Sequence, residues 1–368
     1  MCRKTTNGNV FFFCLTFVLL YFLLLPLRAS PQAAGPGSDN PRNLPGQPVA
    51  PPGTPPPPPK EPTDPQVQAI IAKMSAAGVL RPQTLEAARK AYLFYAQFAG
   101  PAEHVFRVED RQIPGPAGNI PIRLYTPRDG GGLPVFVFFH GGGFVTGNLD
   151  THDPPLRAIA NRCNCLVVSV GYRLAPEHHF PAATDDAFAA TKWVASHAVE
   201  IGGDANRIAV GGDGAGGNLA AVVTLMARDQ GGPRLVYQVL IYPILDSLML
   251  THSWVESHDP ILTNDAMLVQ WASYVPVNTN PANPYASPLN ADLHKLPSAF
   301  MVTDAADPLL DEDRRYTANL KTAGVQANEV VYPDAIHGFF LMAGALDAGK
   351  KCLDQIGAAL KQAFQQAQ

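Results

Sequence analysis

The chain has 368 residues, of which 46% are hydrophobic and 16% charged, enough apolar sequence for one large α/β domain or two smaller ones. Its formal net charge is -4, so it lacks the basic surface by which proteins bind nucleic acid, and we expect no nucleic-acid partner.

The first 30 residues have the features of an export signal. Arg3 and Lys4 precede an apolar run over residues 10–27, and polar, proline-rich sequence follows, the order typical of a signal peptide. The run is also long enough for an uncleaved membrane anchor, because about 20 apolar residues span a bilayer. We therefore predict that residues 1–30 form a signal peptide or a membrane anchor, and that the protein is exported, either secreted or periplasmic.

Residues 31–65 contain 14 of the 36 prolines in the chain. So many prolines favour extended polyproline geometry and leave few apolar side chains to pack. We predict a disordered, proline-rich spacer that separates the folded part from the signal peptide or the membrane.

The cysteines do not suggest a disulfide framework. Cys2 and Cys14 lie in the predicted signal, which leaves an odd number, namely Cys163, Cys165 and Cys352. Two cysteines separated by one residue are too close to bridge easily in an extended segment, and a metal site would need more ligands at suitable spacing. We interpret the three as small, buried, apolar residues and expect no metal.

Two helices are predicted over residues 66–105, before the first strand of the core. In the first, apolar residues recur at the spacing of one helix face: Val67, Ile70, Ile71 and Met74. The second, over residues 84–98, repeats apolar residues at similar intervals. We predict that these helices form a cap over the sheet.

From residue 106 to the C terminus, short apolar runs alternate with helical stretches. Strands are predicted at 135–139, 166–170, 208–211, 236–241, 299–303 and 329–332, and helices at 183–200, 218–228, 312–323 and 347–363. This alternation, with strands that are apolar throughout, predicts an α/β fold in which helices cover both faces of a mostly parallel sheet. Residues 248–285 interrupt the rhythm, and we predict an irregular insertion near the carboxyl edge of the sheet, where sites form.

The most informative stretch is a strand, turn and helix at residues 207–219. The strand enters a glycine-rich turn in which Gly212 and Gly216 flank Asp-Gly-Ala. At this place α/β-hydrolases have the pattern Gly-x-Ser-x-Gly, a sharp turn that exposes a nucleophilic serine above the sheet. In this chain Gly214 stands at the serine position.

A second glycine motif, His-Gly-Gly-Gly-Phe at residues 140–144, follows the first long parallel strand. Such a loop leaves its backbone N–H groups free and approaches a ligand closely, as in the oxyanion holes of lipases and esterases. Ionisable residues follow later strands, with Asp307 after one strand and His337 after the next. The order of turn, aspartate and histidine is that of α/β-hydrolases.

Together with the Tyr-Arg-Leu-Ala-Pro-Glu-His run at residues 172–178, these motifs resemble the bacterial branch of the hormone-sensitive lipase family of esterases, from about residue 106 to the C terminus. The resemblance implies an α/β-hydrolase fold with a helical cap and a Ser-Asp-His mechanism that uses no cofactor. It implies that His337 is the general base and that Asp307 fixes its tautomer.

The same resemblance assigns the remaining parts of a site for a small-molecule ester or acyl ligand. Gly142, Gly143 and Ala215 would supply the N–H groups of the oxyanion hole. Phe144 and the N-terminal helices would shape the acyl pocket under the cap.

The chain departs from the family pattern at two positions. Gly171 replaces an acidic residue that is common in the family, which should affect packing only. Gly214 removes the covalent chemistry, because glycine has no side chain to attack a carbonyl group. The sequence leaves open whether this glycine is natural, engineered or an error.

Two hypotheses follow. The first is a carboxylic-ester hydrolase that is nearly inactive because it lacks its nucleophile, and the second is a binding protein that kept the hydrolase pocket without turnover. We expect neither a catalytic nor a metal-binding role for the other ionisable residues of these motifs and of the insertion. Asp213 should point away from the empty position. The others are His178, His179, His252, His258 and His294.

Export is the first testable prediction. We expect the N-terminal segment to carry the protein out of the cytoplasm, because charged residues precede its apolar run. Cell fractionation with N-terminal sequencing checks this. An intact Met1 in the membrane fraction would favour the anchor, whereas an intact Met1 on a freely soluble cytoplasmic protein would contradict export.

Overall fold

Within residues 62–367, the part of the chain that the computed structural model describes, eight strands form one sheet. The strands are β1 Arg107–Gly115, β2 Gly118–Thr126, β3 Leu133–Phe139, β4 Leu166–Val170, β5 Gly203–Asp213, β6 Tyr237–Ile241, β7 Ser298–Asp304 and β8 Ala327–Tyr332. They lie in the order β1-β2-β4-β3-β5-β6-β7-β8.

The sheet is mostly parallel, as predicted. Strands β3 to β8 pair in parallel, whereas β2 pairs antiparallel with both β1 and β4. The β1–β2 hairpin at the edge of the sheet was not predicted. Its first strand buries only Ile113, so it lacks the continuous apolar run that identified the central strands.

Helices form a layer on each face of the sheet. Their bounds are α1 Pro65–Ala76, α2 Leu85–Phe94, α3 Asp153–Cys163, α4 Ala182–Ser196, α5 Ala215–Asp229, α6 Ser253–Glu256, α7 Asn264–Tyr274, α8 Leu310–Thr322 and α9 Asp347–Gln366. Helices α4, α5 and α8 cover one face, and α1, α3 and α9 cover the other.

Strand β3 shows how the sequence divides the interior into two cores. Val135, Val137 and Phe139 belong to the core beneath α4 and α5, whereas Phe136 and Phe138 belong to the core beneath α3 and α9. Successive side chains of a strand point to opposite faces. A strand that is apolar at every position therefore needs cover on both sides, which confirms the predicted three-layer α/β architecture.

Helix α5 begins at Ala215, three residues before the predicted start, and it is buried almost to its end. The early start brings Gly216 into the helix, where a Cβ atom would overlap the backbone carbonyl of Phe139 in β3. Glycine permits this close approach of the helix to the sheet. The packing therefore explains why glycine, which has a low helix propensity, lies inside the first turn of α5.

The two N-terminal helices pack in different places. Val67, Ile70 and Met74 on α1 are buried with α9, and Gln66 exchanges hydrogen bonds with Asp347 at the start of α9, 3.2 and 3.0 Å long. Helix α2 instead contacts the loop that follows β3, described below. The sequence pattern thus identified both helices, but it did not show that they pack against different parts of the fold.

The insertion at 248–285 contains two helices, α6 and α7, so it is less irregular than predicted. Thr263 caps α7 by accepting a hydrogen bond from the Ala266 N–H (3.3 Å). Met267, Trp271 and Tyr274 are buried along one face of α7. The N-cap threonine and this spacing both indicate a helix. The prolines and histidines of the segment obscured that pattern in the sequence.

The interpretation of Cys163 and Cys165 as separate thiols was wrong, because the two form a disulfide. The segment between them is not extended: Asn164 ends α3 in the left-handed conformation, with φ 51° and ψ 49°. This turn places the two Cα atoms 5.3 Å apart, within the range of disulfides. Both residues are buried, as expected, and so is the free thiol of Cys352.

The predicted signal peptide or anchor and nearly all of the predicted spacer fall on residues 1–61, outside the described residues. Among residues 62–367, none of the helices combines the length and apolarity needed to cross a membrane.

The packing of α5 against β3 gives a test of the fold. Gly216→Ala should lower the free energy of unfolding by about 1–3 kcal/mol or more, because an overpacked interior must shift. Gly131→Ala is the matched control, since a Cβ at this exposed glycine meets no atom within 4 Å, and it should change stability by less than about 0.5 kcal/mol. Urea unfolding measures both. Equal stabilities of the two variants would contradict the close approach.

Candidate active site

The turn between β5 and α5 is held by its backbone. Gly214 has φ 53° and ψ -115°, a region that costs a non-glycine residue about 1–3 kcal/mol. Its N–H donates to the carbonyl of Ile241 (2.9 Å), and its own carbonyl accepts from the N–H groups of Asn218 and Ile244 (3.1 Å each). The positive φ is that of the sharp turn that the glycine pattern predicted.

The side-chain space at Gly214 faces His337. A Cβ atom built on Gly214 would lie 3.6 Å from His337 Nε2 and 3.8 Å from Cε1, and it would meet no other atom within 4 Å beyond its own chain neighbours and helix backbone. A side chain the size of serine at position 214 would therefore contact the imidazole before any other group.

His337 is oriented by Asp307. The distance from His337 Nδ1 to Asp307 Oδ2 is 2.7 Å, so Nδ1–H donates to the carboxylate and Nε2 is left to face Gly214. The other oxygen of Asp307 accepts from the Leu309 N–H (2.9 Å). The Asp307 side chain is 1% exposed and the imidazole 16%. The structure thus brings together the three positions that the sequence assigned to the triad.

A second carboxylate supports His337 from the insertion. Asp259 Oδ2 accepts the backbone N–H of His337 (2.8 Å), and Oδ1 accepts the N–H groups of Ile261 and Leu262 (2.7 Å each). Burial, followed by the charge of Asp307, raises the pKa of Asp259 to about 6. Sequence reasoning missed this residue. Its local signal was the Asp-Pro turn, but its contact with His337 is long-range.

The carboxylates around His337 determine its basicity. Burial lowers the pKa of the imidazole, but the charge and hydrogen bond of Asp307, together with the charges of Asp259 and Asp213, outweigh burial and raise the pKa above its ordinary value. An opposite charge near an imidazole favours the protonated form. His337 is therefore a stronger base than a free histidine.

The expected oxyanion groups lie at the same edge of the sheet. Phe139 at the end of β3 pairs with Gly212 near the end of β5, so the loop at 141–144 and the start of α5 are neighbours. The N–H groups of Gly142 and Gly143 donate to no acceptor within residues 62–367. Ala215 is the first residue of α5, where backbone N–H groups lack a helical partner and carry a partial positive charge.

Asp213 fixes this glycine loop and does not face the empty position. Its Oδ1 accepts from the Gly141 N–H (2.8 Å) and lies 2.9 Å from His152 Nε2. On the other side of the loop, the Tyr172 hydroxyl donates to the carbonyl of His140 (2.6 Å). Burial, followed by the charge of His152, lowers the pKa of His140 to about 4, which keeps that ring neutral.

Helices α7 and α2 contact the glycine loop at Phe144 and Val145. Phe144 is a non-glycine residue at φ 64°, and its ring stacks on Tyr274 of α7 with centroids 3.8 Å apart. From α2, Arg89 Nε donates to the carbonyl of Val145 (3.0 Å), and its guanidinium pairs with Glu177 at 2.9 and 2.8 Å. Phe144 is fully buried under α7, and its contact with an acyl chain stays a prediction.

Two further histidines, His252 and His294, are engaged outside the site. His252 pairs with Glu256 (2.8 Å) and His294 with Asp292 (2.6 Å), and these exposed pairs are typical surface contacts. Within the described part of the chain, no group of three or more histidine, cysteine or acidic side chains is arranged to hold a metal ion.

The loop geometry predicts the effect of removing Asp213. Asp213→Ala removes the acceptor of the buried Gly141 N–H and the partner of His152 Nε2, and should lower the free energy of unfolding by about 1–3 kcal/mol, the cost of an unpaired buried group. Asp213→Asn keeps an oxygen at the same place and should cost less than half as much. Urea unfolding decides this. A similar loss in both variants would show that the negative charge, and not the acceptor, holds the loop.

Comparison with known proteins agrees with this geometry. The family model described as alpha/beta hydrolase fold matches residues 136–341. A carboxylesterase of Mycobacterium tuberculosis, NlhH, is 45% identical over 268 residues, which cover 70% of this chain and 83% of the relative.

Solved structures agree as well. An esterase from Pyrobaculum calidifontis is 44% identical with a TM-score of 0.76, over 81% of this chain and 98% of its own. An ester hydrolase from the metagenome of Lake Arreo, in complex with a bipyridine phosphonate derivative, is 39% identical with a TM-score of 0.79, over 82% of this chain and 99% of its own. The chain therefore belongs to the α/β-hydrolases of the hormone-sensitive lipase type, the family of these carboxylesterases.

Proposed function

We propose that this chain is a carboxylic-ester hydrolase in every part of its site except the nucleophile, and that it hydrolyses small esters only feebly as it stands. The observation that carries the proposal is the arrangement of Asp307, His337 and Gly214. Asp307 accepts a 2.7 Å hydrogen bond from His337 Nδ1, and Nε2 of the same imidazole lies 3.6 Å from the position of a Cβ atom built on Gly214. The esterase relatives support the same substrate class.

The chemistry follows from this line. In a serine hydrolase, the imidazole takes the hydroxyl proton as the serine oxygen attacks the ester carbonyl, and N–H groups stabilise the resulting oxyanion. Here His337 would be the base, and Gly142, Gly143 and Ala215 would supply the N–H groups. Without a serine side chain at position 214, the acyl-enzyme cannot form. The base and oxyanion hole of such sites still provide roughly 10³–10⁴-fold catalysis over water.

A binding function is the second candidate. The observation that favours it is that Asp307, Asp259 and Asp213 still hold His337 and the glycine loop in place, although Gly214 offers no nucleophile. Such a site would bind a small ester or acyl ligand without turning it over. Saturable binding of an ester by a chain whose hydrolysis is undetectable would favour this function.

Restoring the nucleophile is the direct test. Gly214→Ser should raise the rate of hydrolysis of a chromogenic acetate or butyrate by several orders of magnitude, because the new hydroxyl would lie next to His337 Nε2. The restored rate should fall as the pH drops through the pKa of His337, since only the neutral imidazole accepts a proton. That pKa lies above the ordinary value of about 6.5, in the direction given by the surrounding carboxylates.

Gly214→Ala is the matched control, since alanine has the same Cβ and the same strained backbone but no hydroxyl. Both variants should be less stable than the parent by about 1 kcal/mol, since strain at positive φ costs about 1–3 kcal/mol. Equal rates in the serine and alanine variants would refute the proposed function. So would a restored enzyme that is insensitive to a serine-directed phosphonate.

A further inference from the structure

The side chain of Gln270, on helix α7, lies directly against the glycine loop. A Cβ atom built on Gly143 would overlap the terminal amide of Gln270, so the amide already fills the place that a side chain at 143 would take. Because a Cβ atom stands one bond from Cα, the amide packs on the Cα atom of Gly143. This is the residue whose N–H group is one of the predicted oxyanion donors.

The amide of Gln270 is free to contact a ligand. Ser273, on the same helix, donates its hydroxyl to the carbonyl of Val269 (2.7 Å). The Gln270 amide, in contrast, forms no hydrogen bond with another group of residues 62–367, and the residue is half-buried. A half-buried amide without a protein partner keeps its full capacity to donate and accept.

The rings beside the same loop offer mainly apolar contact. Phe144 stacks on Tyr274 with centroids 3.8 Å apart, and its centroid lies 5.7 Å from that of Trp271. The Tyr274 hydroxyl is 3.1 Å from Thr184 Oγ1 and is engaged there. The Gln270 amide therefore adds a hydrogen-bonding group next to a wall of aromatic rings, at the point where that wall meets the predicted oxyanion hole.

We propose that Gln270 is a specificity-determining residue of this site, and that its amide binds a hydroxyl group carried next to the ester linkage of the substrate. The preferred substrates are then small hydroxy esters. The inference deepens the proposed function and rests on it, because it takes the ligand to be an ester whose carbonyl oxygen is bound by the glycine loop.

The chemistry of the amide selects a hydroxyl group. An amide presents one acceptor oxygen and two N–H donors, and a hydroxyl both donates and accepts, so the two pair in either orientation of the amide. A carboxylate at the same place would be repelled by the charges of Asp213, Asp259 and Asp307. Because Gly143 is to bind the ester carbonyl, its neighbour Gln270 contacts a substituent close to that carbonyl. Such a hydroxyl belongs either to the acyl part, as in a 2-hydroxy ester, or to the alcohol part, as in a glycol monoester.

The test uses two pairs of esters that differ only by a hydroxyl or a methyl group. Ethyl lactate is compared with ethyl isobutyrate, and 2-hydroxyethyl acetate with propyl acetate. Acid release by the full-length Gly214→Ser variant, followed in a pH-stat, gives kcat/KM for each ester. Ligand-detected NMR gives Kd for the parent chain, which binds the esters without rapid turnover. The pair that responds to a change at Gln270 identifies the part of the ester that the amide contacts.

Gln270→Met keeps an unbranched side chain of similar length and removes both hydrogen-bonding groups. In one of the pairs we expect it to lower the hydroxyl-to-methyl ratio of kcat/KM and of affinity by about two- to tenfold, the factor that corresponds to one net hydrogen bond. The values for the methyl member of the pair should change little. The comparison between variants cancels the different intrinsic reactivities of the esters.

Two further variants complete the design. Gln270→Asn keeps the amide but withdraws it by one carbon, so it should also lose most of the preference, and it decides the question if the methionine variant does not fold. Leu268→Met, at an exposed position of the same helix, is the matched control and should leave both ratios unchanged.

The proposal fails if Gln270→Met leaves both ratios unchanged, if it slows all four esters equally, or if Leu268→Met lowers a ratio as much. A Gly214→Ser enzyme that is fast on every ester, with ratios independent of Gln270, keeps the proposed function and loses this inference. An inactive, folded Gly214→Ser variant refutes the proposed function. In that case the affinities of the parent chain and of its Gln270→Met variant alone decide whether Gln270 binds the hydroxyl.

Discussion

The close approach of helix α5 to strand β3 is the constraint on which the site depends. With only a hydrogen atom at Gly216, the first turn of the helix lies directly against the Phe139 carbonyl, and this contact fixes where β5 ends and where α5 begins. The same contact places the N–H of Ala215 beside the loop that leaves β3. A larger residue would separate the two and widen the predicted oxyanion hole, so the geometry of the site begins in backbone packing and not in its ionisable groups.

Three buried carboxylates then hold the glycine loop and His337 in the positions that the backbone gives them. Asp213, Asp259 and Asp307 come from three different segments, and each holds one neighbour: the glycine loop, the backbone of His337 and its imidazole ring. Their combined negative charge makes the site a poor place for a free carboxylate and strengthens His337 as a base. The same field would help to expel an acid product.

Much of the fold and of the candidate site was readable in the sequence because the signals were local. Apolar runs identified β3 to β8, and the glycine motif with Asp307 and His337 identified the edge at which they meet. Asp259 was missed because its hydrogen bond to His337 spans 78 residues, and no local pattern encodes a contact of that kind. The disulfide was missed for a different reason, since the bridge depends on the left-handed conformation of Asn164, which an asparagine permits but does not require.

The backbone hydrogen bonds of Gly214 have a consequence for how the sequence can evolve at this position. Its hydrogen bonds run to Ile241, Ile244 and Asn218 through main-chain atoms alone, so the shape of the turn does not depend on which side chain stands there. Replacing a serine by glycine at this position would relieve the strain of a positive φ, which costs a non-glycine residue about 1–3 kcal/mol, so selection that acts only on stability would favour the change. The change is also easily reversed, because a single base substitution converts some glycine codons into serine codons. A lineage carrying this chain would keep the other residues of the site for as long as selection for folding preserved them.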